Sequence, residues 1–221
     1  MRKKREEEEG KKIPKKRSKL LTIFGVIFIL GGLLLIAYPF IEIGLDKRDI
    51  SKNINEWDKQ RTEALKNDKD NSNKEDTKKG NKIKYPIVKV NGKDIIGKLV
   101  VTKTGEQIPI LMGATEENLR GGATLYDNGI YPGDKGTAII LGHRETTFGF
   151  LENIKDSDIV EVQSLNHTYK FKVKKTYITN PEDESILAQE EGPSMTLVTC
   201  YPFRYVGPAP DRFIVKLDLI E

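Results

Sequence analysis

MTLVTCYPFRYVGPAPDRFIVKLDL, residues 195–219, decides the fold. Its two ends, MTLVTCY and RFIVKLDL, are strand-length runs rich in β-branched and aromatic residues. Between them Pro202, Gly207, Pro208 and Pro210 can continue neither strand nor helix, so the stretch reads as strand, stiff loop, strand. The same texture reaches back to Ile83, with candidate strands YPIVKV, IIGKLVVTK, IPILM, GTAIILGH, DIVEVQSL and TYKFKVKKTYI. Asn91-Gly92, Thr104-Gly105, Pro132-Gly133 and Asn166-His167 supply the reversals. Only short helices fit, near Thr115–Leu119 and Phe150–Ile154. An all-β domain of about 140 residues and about eight strands follows, and closure into a barrel is favoured over an open sheet because it leaves no edges. A two-sheet sandwich satisfies the same pattern.

Upstream of that domain the texture is different. LLTIFGVIFILGGLLLIAYPFI, Leu20–Ile41, carries no charge and is long enough for a helix to cross the hydrocarbon core. A cleaved signal would have a shorter apolar region and a small-residue cleavage site, where this chain has Tyr38-Pro39-Phe40. Residues 1–19 are a basic tail, with Lys11, Lys12, Lys15, Lys16, Arg17 and Lys19 crowding one flank, so the N-terminus is expected in the cytoplasm and everything after Ile41 outside. Residues 42–82 read as a linker. Within it Ile50, Ile54, Trp57 and Leu65 fall at loosely helical spacing, too sparse for a core of their own. NDKDNSNKEDTKKGNK, residues 67–82, has no apolar side chain to bury and is expected to stay solvated. As a coil, the roughly 40 residues would span about 35 Å. Residues 83–221 are the expected barrel domain.

Composition excludes several function classes. The chain has 221 residues, a net charge of +4 and one cysteine, Cys200. Much of the basic excess is in the tail, where a membrane explains it better than a nucleic acid. A lone cysteine forbids an internal disulfide, and one Cys with two His hardly supplies a structural zinc site. Cys200 is therefore either an inert packed thiol or a reactive one. Three segments place a reactive side chain where a strand hands over to a loop: AIILGHR with His143, TLVTCY with Cys200 and PAPDRFIV with Arg212. If they converge, an imidazole activates a thiol whose ordinary pKa is about 8.5, and a guanidinium stabilises the oxyanion formed when the thiolate attacks a carbonyl. The plainer alternatives are a core cysteine, a hydrogen-bonded strand-end histidine and a surface arginine, with Arg144 and Arg204 as rivals for the charge-stabilising part. His167, in a turn, is a poor catalytic candidate.

LGHR, TLVTC and DRF, in that order, resemble the sortases, the cell-wall transpeptidases of Gram-positive bacteria. The resemblance spans essentially all of residues 83–221. It implies an eight-stranded β-barrel with Cys200 as nucleophile, His143 as general acid and base and Arg212 as oxyanion and substrate stabiliser, with Thr199 and Leu141 as substrate-binding residues. It implies cleavage of a C-terminal Leu-Pro-Xaa-Thr signal, followed by Gly or Ala, on secreted proteins, and transfer of the acyl group to a peptidoglycan amine. No cofactor is implied. Glu116, Glu117 and Asp127 are scattered carboxylates, so no required metal is expected. CYPFRYVGPAPDRFIVKLDL looks like class D, with class A the runner-up. The alternatives are a membrane-tethered hydrolytic thiol protease and a non-catalytic extracytoplasmic binding domain.

Overall fold

The computed structural model describes residues 15–70, 85–205 and 207–221. The first part of the expected basic tail, residues 1–14, most of the polar part of the linker, residues 71–82, and the first two residues of the expected barrel domain, 83–84, lie outside the described residues. The chain divides into two compact units, residues 1–42 and 43–221. Helix α1, Lys15–Asp70, contributes to both. In the first unit its apolar side chains from Leu20 to Ile41 are largely exposed, and this is a helix long and apolar enough to cross a membrane.

The second unit is a closed barrel. Among the described residues nine strands follow in order: β1 Val88–Val90, β2 Lys93–Val101, β3 Gln107–Met112, β4 Ala123–Leu125, β5 Gly136–Leu141, β6 Ile159–Gln163, β7 Thr168–Thr179, β8 Pro193–Tyr201 and β9 Asp211–Leu219. They hydrogen-bond in the order β1-β2-β3-β4-β5-β8-β9-β7-β6, and an additional β2–β6 pairing closes the circuit through eight of them, leaving β1 outside. All pairings are antiparallel except β3–β4 and β5–β8. The expected strand YPIVKV supplies only β1, whereas β4, unexpected from the sequence, takes its place in the ring. Helix α2, Glu116–Gly121, and the 3₁₀ turn Gly149–Asn153 stand close to the two expected helices. A second 3₁₀ turn, Glu184–Leu187, lies in a stretch whose pattern predicts no helix.

The period of two sets the interior. Met195 and Leu197 of β8, Val215 and Leu217 of β9, and Ala138 and Ile140 of β5 point into one core with Ile96, Leu99, Ile110, Val162 and Phe171. Yet β8 and β5 are buried along most of their length, on both faces. The segment 180–192 lies over the outer face and explains this: its Ile186 packs on Ile139, Val198 and Ile214. It is pinned at three places, by Thr179 Oγ1 donating to Asp183 Oδ2, Lys216 Nζ donating to Ile186 O at 3.4 Å, and Thr137 N donating to Gln189 Oε1 at 2.9 Å. The Thr179 hydroxyl, with Ser185, holds the Asp183 carboxylate below its usual pKa, and burial lowers that of Lys216.

The helical stretch after Ile43 is more than a tether. Trp57 is fully buried in a cluster with Val88, Val90, Ile95 and Leu111, on the outer face of β1–β3. Arg61 donates to Ser164 O at 2.8 Å, Gln163 Oε1 at 3.2 Å and Thr168 Oγ1 at 2.9 Å. Asn53 donates to Gly121 O at 3.0 Å, and Lys98 pairs with Asp58 at 2.5 Å. The stripe is too sparse for a core of its own because most of its docking groups are polar and its apolar partner is the barrel wall.

Candidate functional site

β5, β8 and β9 lie side by side and bring the three sequence-selected residues to one end of the sheet. In the antiparallel β8–β9 pair Cys200 is the register partner of Arg212, so the two side chains share a face with their Cβ atoms about 5 Å apart. In the parallel β5–β8 pair Leu141 is the partner of Val198, and the ladder continues one step as Gly142 N donates to Val198 O at 3.1 Å. Thr199 Oγ1 donates to Gly142 O at 2.7 Å. His143 therefore leaves β5 beside Thr199 and Cys200, on a strand about 4.8 Å away.

The turn that carries His143 is tightly built. Its carbonyl accepts from Thr147 N at 3.1 Å, Phe148 N at 2.9 Å and Thr147 Oγ1 at 3.2 Å. Gly142 is required by close approach: a Cβ there would stand 2.7 Å from both the Phe148 ring and Thr147 Oγ1. Across the rim, Glu116 Oε1 of α2 lies 3.6 Å from His143 Nε2. Cys200 is a free, half-buried thiol. Arg212 Nη1 donates to Asp211 O at 3.0 Å and Ala209 O at 3.4 Å, which aims the guanidinium with its remaining N–H groups uncommitted to those carbonyls.

The rival cations are engaged elsewhere. Arg144 is buried and bonded to backbone carbonyls, and the exposed Arg204 pairs with Glu152 at 3.0 Å. His167 lies before the start of β7, whereas Thr179, the register partner of Arg212, ends it. His167 is thus at the far end of the barrel, packed edge-on against Tyr169 with ring centroids 4.4 Å apart. Of the two expected substrate-binding residues, Leu141 packs beside Val198 and Ile214 on the outer face, one strand step back from Cys200 and Arg212. Thr199 is 2 % exposed, with its hydroxyl committed to Gly142, so its visible part is to tie β8 to the His143 turn. Among the described residues no group of three or more His, Cys, Asp or Glu side chains is arranged to hold a metal ion.

Sequence reasoning missed the segment 180–192 as a cover over the apolar floor. The signal for it was present in Asp183, whose side chain caps the 3₁₀ turn by accepting from Ser185 N, and in Ile186, an apolar residue placed early in a polar run.

A sequence profile described as the sortase domain matches residues 99–220. Sortase D of Bacillus subtilis (strain 168) is 32% identical over 120 residues, covering 54% of this chain and 61% of that relative, somewhat under two thirds of its length. Sortase A of Staphylococcus aureus is 26% identical over 191 residues, 83% of this chain and 87% of the relative. Among solved structures, a Clostridium perfringens sortase D5 transpeptidase shares the fold with a TM-score of 0.53 at 23% identity, covering 74% of this chain and 99% of that one. Class D is favoured over class A.

Proposed function

Because the chain belongs to the sortase family of cell-wall transpeptidases, we propose that it is a class D enzyme that cleaves a Leu-Pro-Xaa-Thr signal after the threonine and passes the acyl group to a peptidoglycan amine. The Cys200 thiolate attacks the threonine carbonyl, and the oxyanion is stabilised by the Arg212 guanidinium, planar and charged at any physiological pH. His143, as imidazolium, protonates the departing amine while the C–N bond breaks, leaving a thioester. The incoming amine gives a proton to neutral His143 as it attacks, and collapse expels the Cys200 thiolate. Leu141, half-buried at the edge of the cluster that Ile186 covers, stands one strand step from the sulfur and suits the leucine of the signal. The observation that carries the proposal is the Cys200–Arg212 register on the strand neighbouring the His143 turn. On the helix Leu20–Ile41, with its basic N-terminal flank, the enzyme sits as a single-pass membrane protein with the barrel outside the cell.

The test is product analysis. Full-length enzyme, a Leu-Pro-Xaa-Thr-Gly or -Ala peptide and an amine nucleophile are expected to yield the amide-linked product, with none from Cys200→Ala. Hydrolysed peptide alone would make the protein a thiol protease, and equal function of Cys200→Ala in the cell would make it a binding domain.

A further inference from the structure

Arg144 follows His143 in the sequence, yet its guanidinium is bonded to a different segment. It is buried, and Nη1 donates to Pro202 O at 2.7 Å while Nη2 donates to Tyr205 O at 3.0 Å and Gly207 O at 3.1 Å. Its Nε donates to Glu145 Oε1 at 2.6 Å, and its Cζ lies 5.9 Å from the Tyr205 ring centroid. A guanidinium has five N–H groups in a rigid plane, so these contacts take most of its capacity. The three carbonyls belong to the loop that leaves Cys200 and returns to Arg212. The backbone at the other end is the His143 turn, itself fixed by three hydrogen bonds to the His143 carbonyl. One side chain thus joins the segment bearing the imidazole to the loop whose two ends bear the thiol and the second guanidinium. Carbonyls spread over six residues suit a planar fork and not the point charge of a lysine. A buried cation that ties backbone together at such a place costs desolvation, which its three carbonyl acceptors and the Glu145 carboxylate offset.

We propose that Arg144 is a positioning residue, which holds Pro202, Tyr205 and Gly207 against the His143 turn and so sets the spacing of His143, Cys200 and Arg212. The inference rests on the acyl-transfer reading but is separable from it. Displacement of a reacting group by about 1 Å lowers a rate about 10²-fold, which is the loss expected here.

Full-length wild type, R144A, R144K and C200A in detergent are compared by three readouts. Turnover of a fluorogenic Leu-Pro-Gln-Thr-Gly peptide with triglycine as the amine is measured per active site, counted by stoichiometric alkylation of Cys200. The rate of that alkylation by iodoacetamide is followed against pH, which needs no peptide. Thermal unfolding is recorded alongside. For R144A, kcat per titrated site is expected to fall about 10²-fold with KM within about threefold, and the alkylation profile to move; R144K recovers less than about tenfold of the loss. Millimolar guanidinium ion is expected to restore part of the activity of R144A and to leave the wild type unchanged. A kcat per site within about threefold of wild type, with superimposable alkylation profiles, overturns the proposal, because Arg144 then serves folding alone. A loss confined to KM overturns it too, since it marks a substrate contact. A wild type inert toward the peptide whose alkylation profile still differs from that of R144A defeats the acyl-transfer reading and supports the positioning role. If R144A does not fold, R144K decides by the same readouts.

Discussion

Replacing Trp57 by alanine is expected to destabilise the barrel itself, although the residue stands far outside the family's matched region, residues 99–220. Trp57 is 0 % exposed and fills the space against Val88, Val90, Ile95 and Leu111. Truncating a buried tryptophan costs about 3–5 kcal/mol, the transfer of the indole from contact to water plus the cavity left behind. For a unit of this size each kcal/mol moves the melting temperature by about 2–4 °C, so a fall of roughly 6–20 °C is expected. Circular dichroism of the full chain in detergent measures it for the variant. Trp57 is also the chain's single tryptophan, so wild-type fluorescence reports helix docking directly. Its unfolding transition is expected to coincide with loss of the barrel's far-ultraviolet signal. A change of less than about 1 kcal/mol in Trp57→Ala, or a fluorescence transition well ahead of the barrel's, would refute the view that this part of α1 belongs to the folded unit. The same logic predicts that a fragment from residue 43 is markedly more stable than one from residue 85.

Other outcomes follow from the site. Arg212→Lys keeps the charge but loses the fork and is expected to lower kcat/KM by about 10²- to 10³-fold, measured by steady-state peptide cleavage. Gly142→Ala forces a Cβ against Phe148 and Thr147, so both stability, by about 1–3 kcal/mol in denaturant titration, and activity should fall. His167→Ala, at the far end of β7, should leave kcat/KM within about twofold. The depressed pKa of Asp183 means that its stabilising contribution is present above the unfolded-state value near 3.9 and is lost as pH falls through the lower folded-state value. The acid limb of the stability profile should therefore be shallower in Asp183→Ala than in wild type, as read by urea unfolding from pH 5 to 2.5.

The strand–loop–strand of residues 195–219 was legible because each strand is an uninterrupted run set off by prolines, whereas the register that sets Cys200 opposite Arg212 was not, since the loop between the strands is too long to fix their pairing. β4 was not legible: three residues give no period, and its partners are a parallel β3 and an antiparallel β5. The expected number of eight holds because β4 takes the place in the ring that the pattern of YPIVKV suggests for that stretch. The β2–β6 pairing that closes the barrel joins segments some 60 residues apart, a distance over which local patterning is silent. Trp57 and Arg61 were under-read for a related reason, since a helix that docks on a sheet needs only a narrow stripe and can use polar groups within it. Cys200, His143 and Arg212 stood out as reactive residue types at strand ends. Thr199 and Arg144 tie the site together through backbone carbonyls, which have no signature in the side-chain sequence.

The decisive measurement is intact-protein mass spectrometry of the full chain mixed with a Leu-Pro-Xaa-Thr-Gly peptide before any amine is added. The account predicts a mass increase equal to the acyl fragment ending in threonine, mapped by digestion to Cys200, discharged as an amide on addition of amine, and undetectable in Cys200→Ala and His143→Ala. Peptide cleavage with no adduct on Cys200, or with undiminished rate in Cys200→Ala, would contradict it.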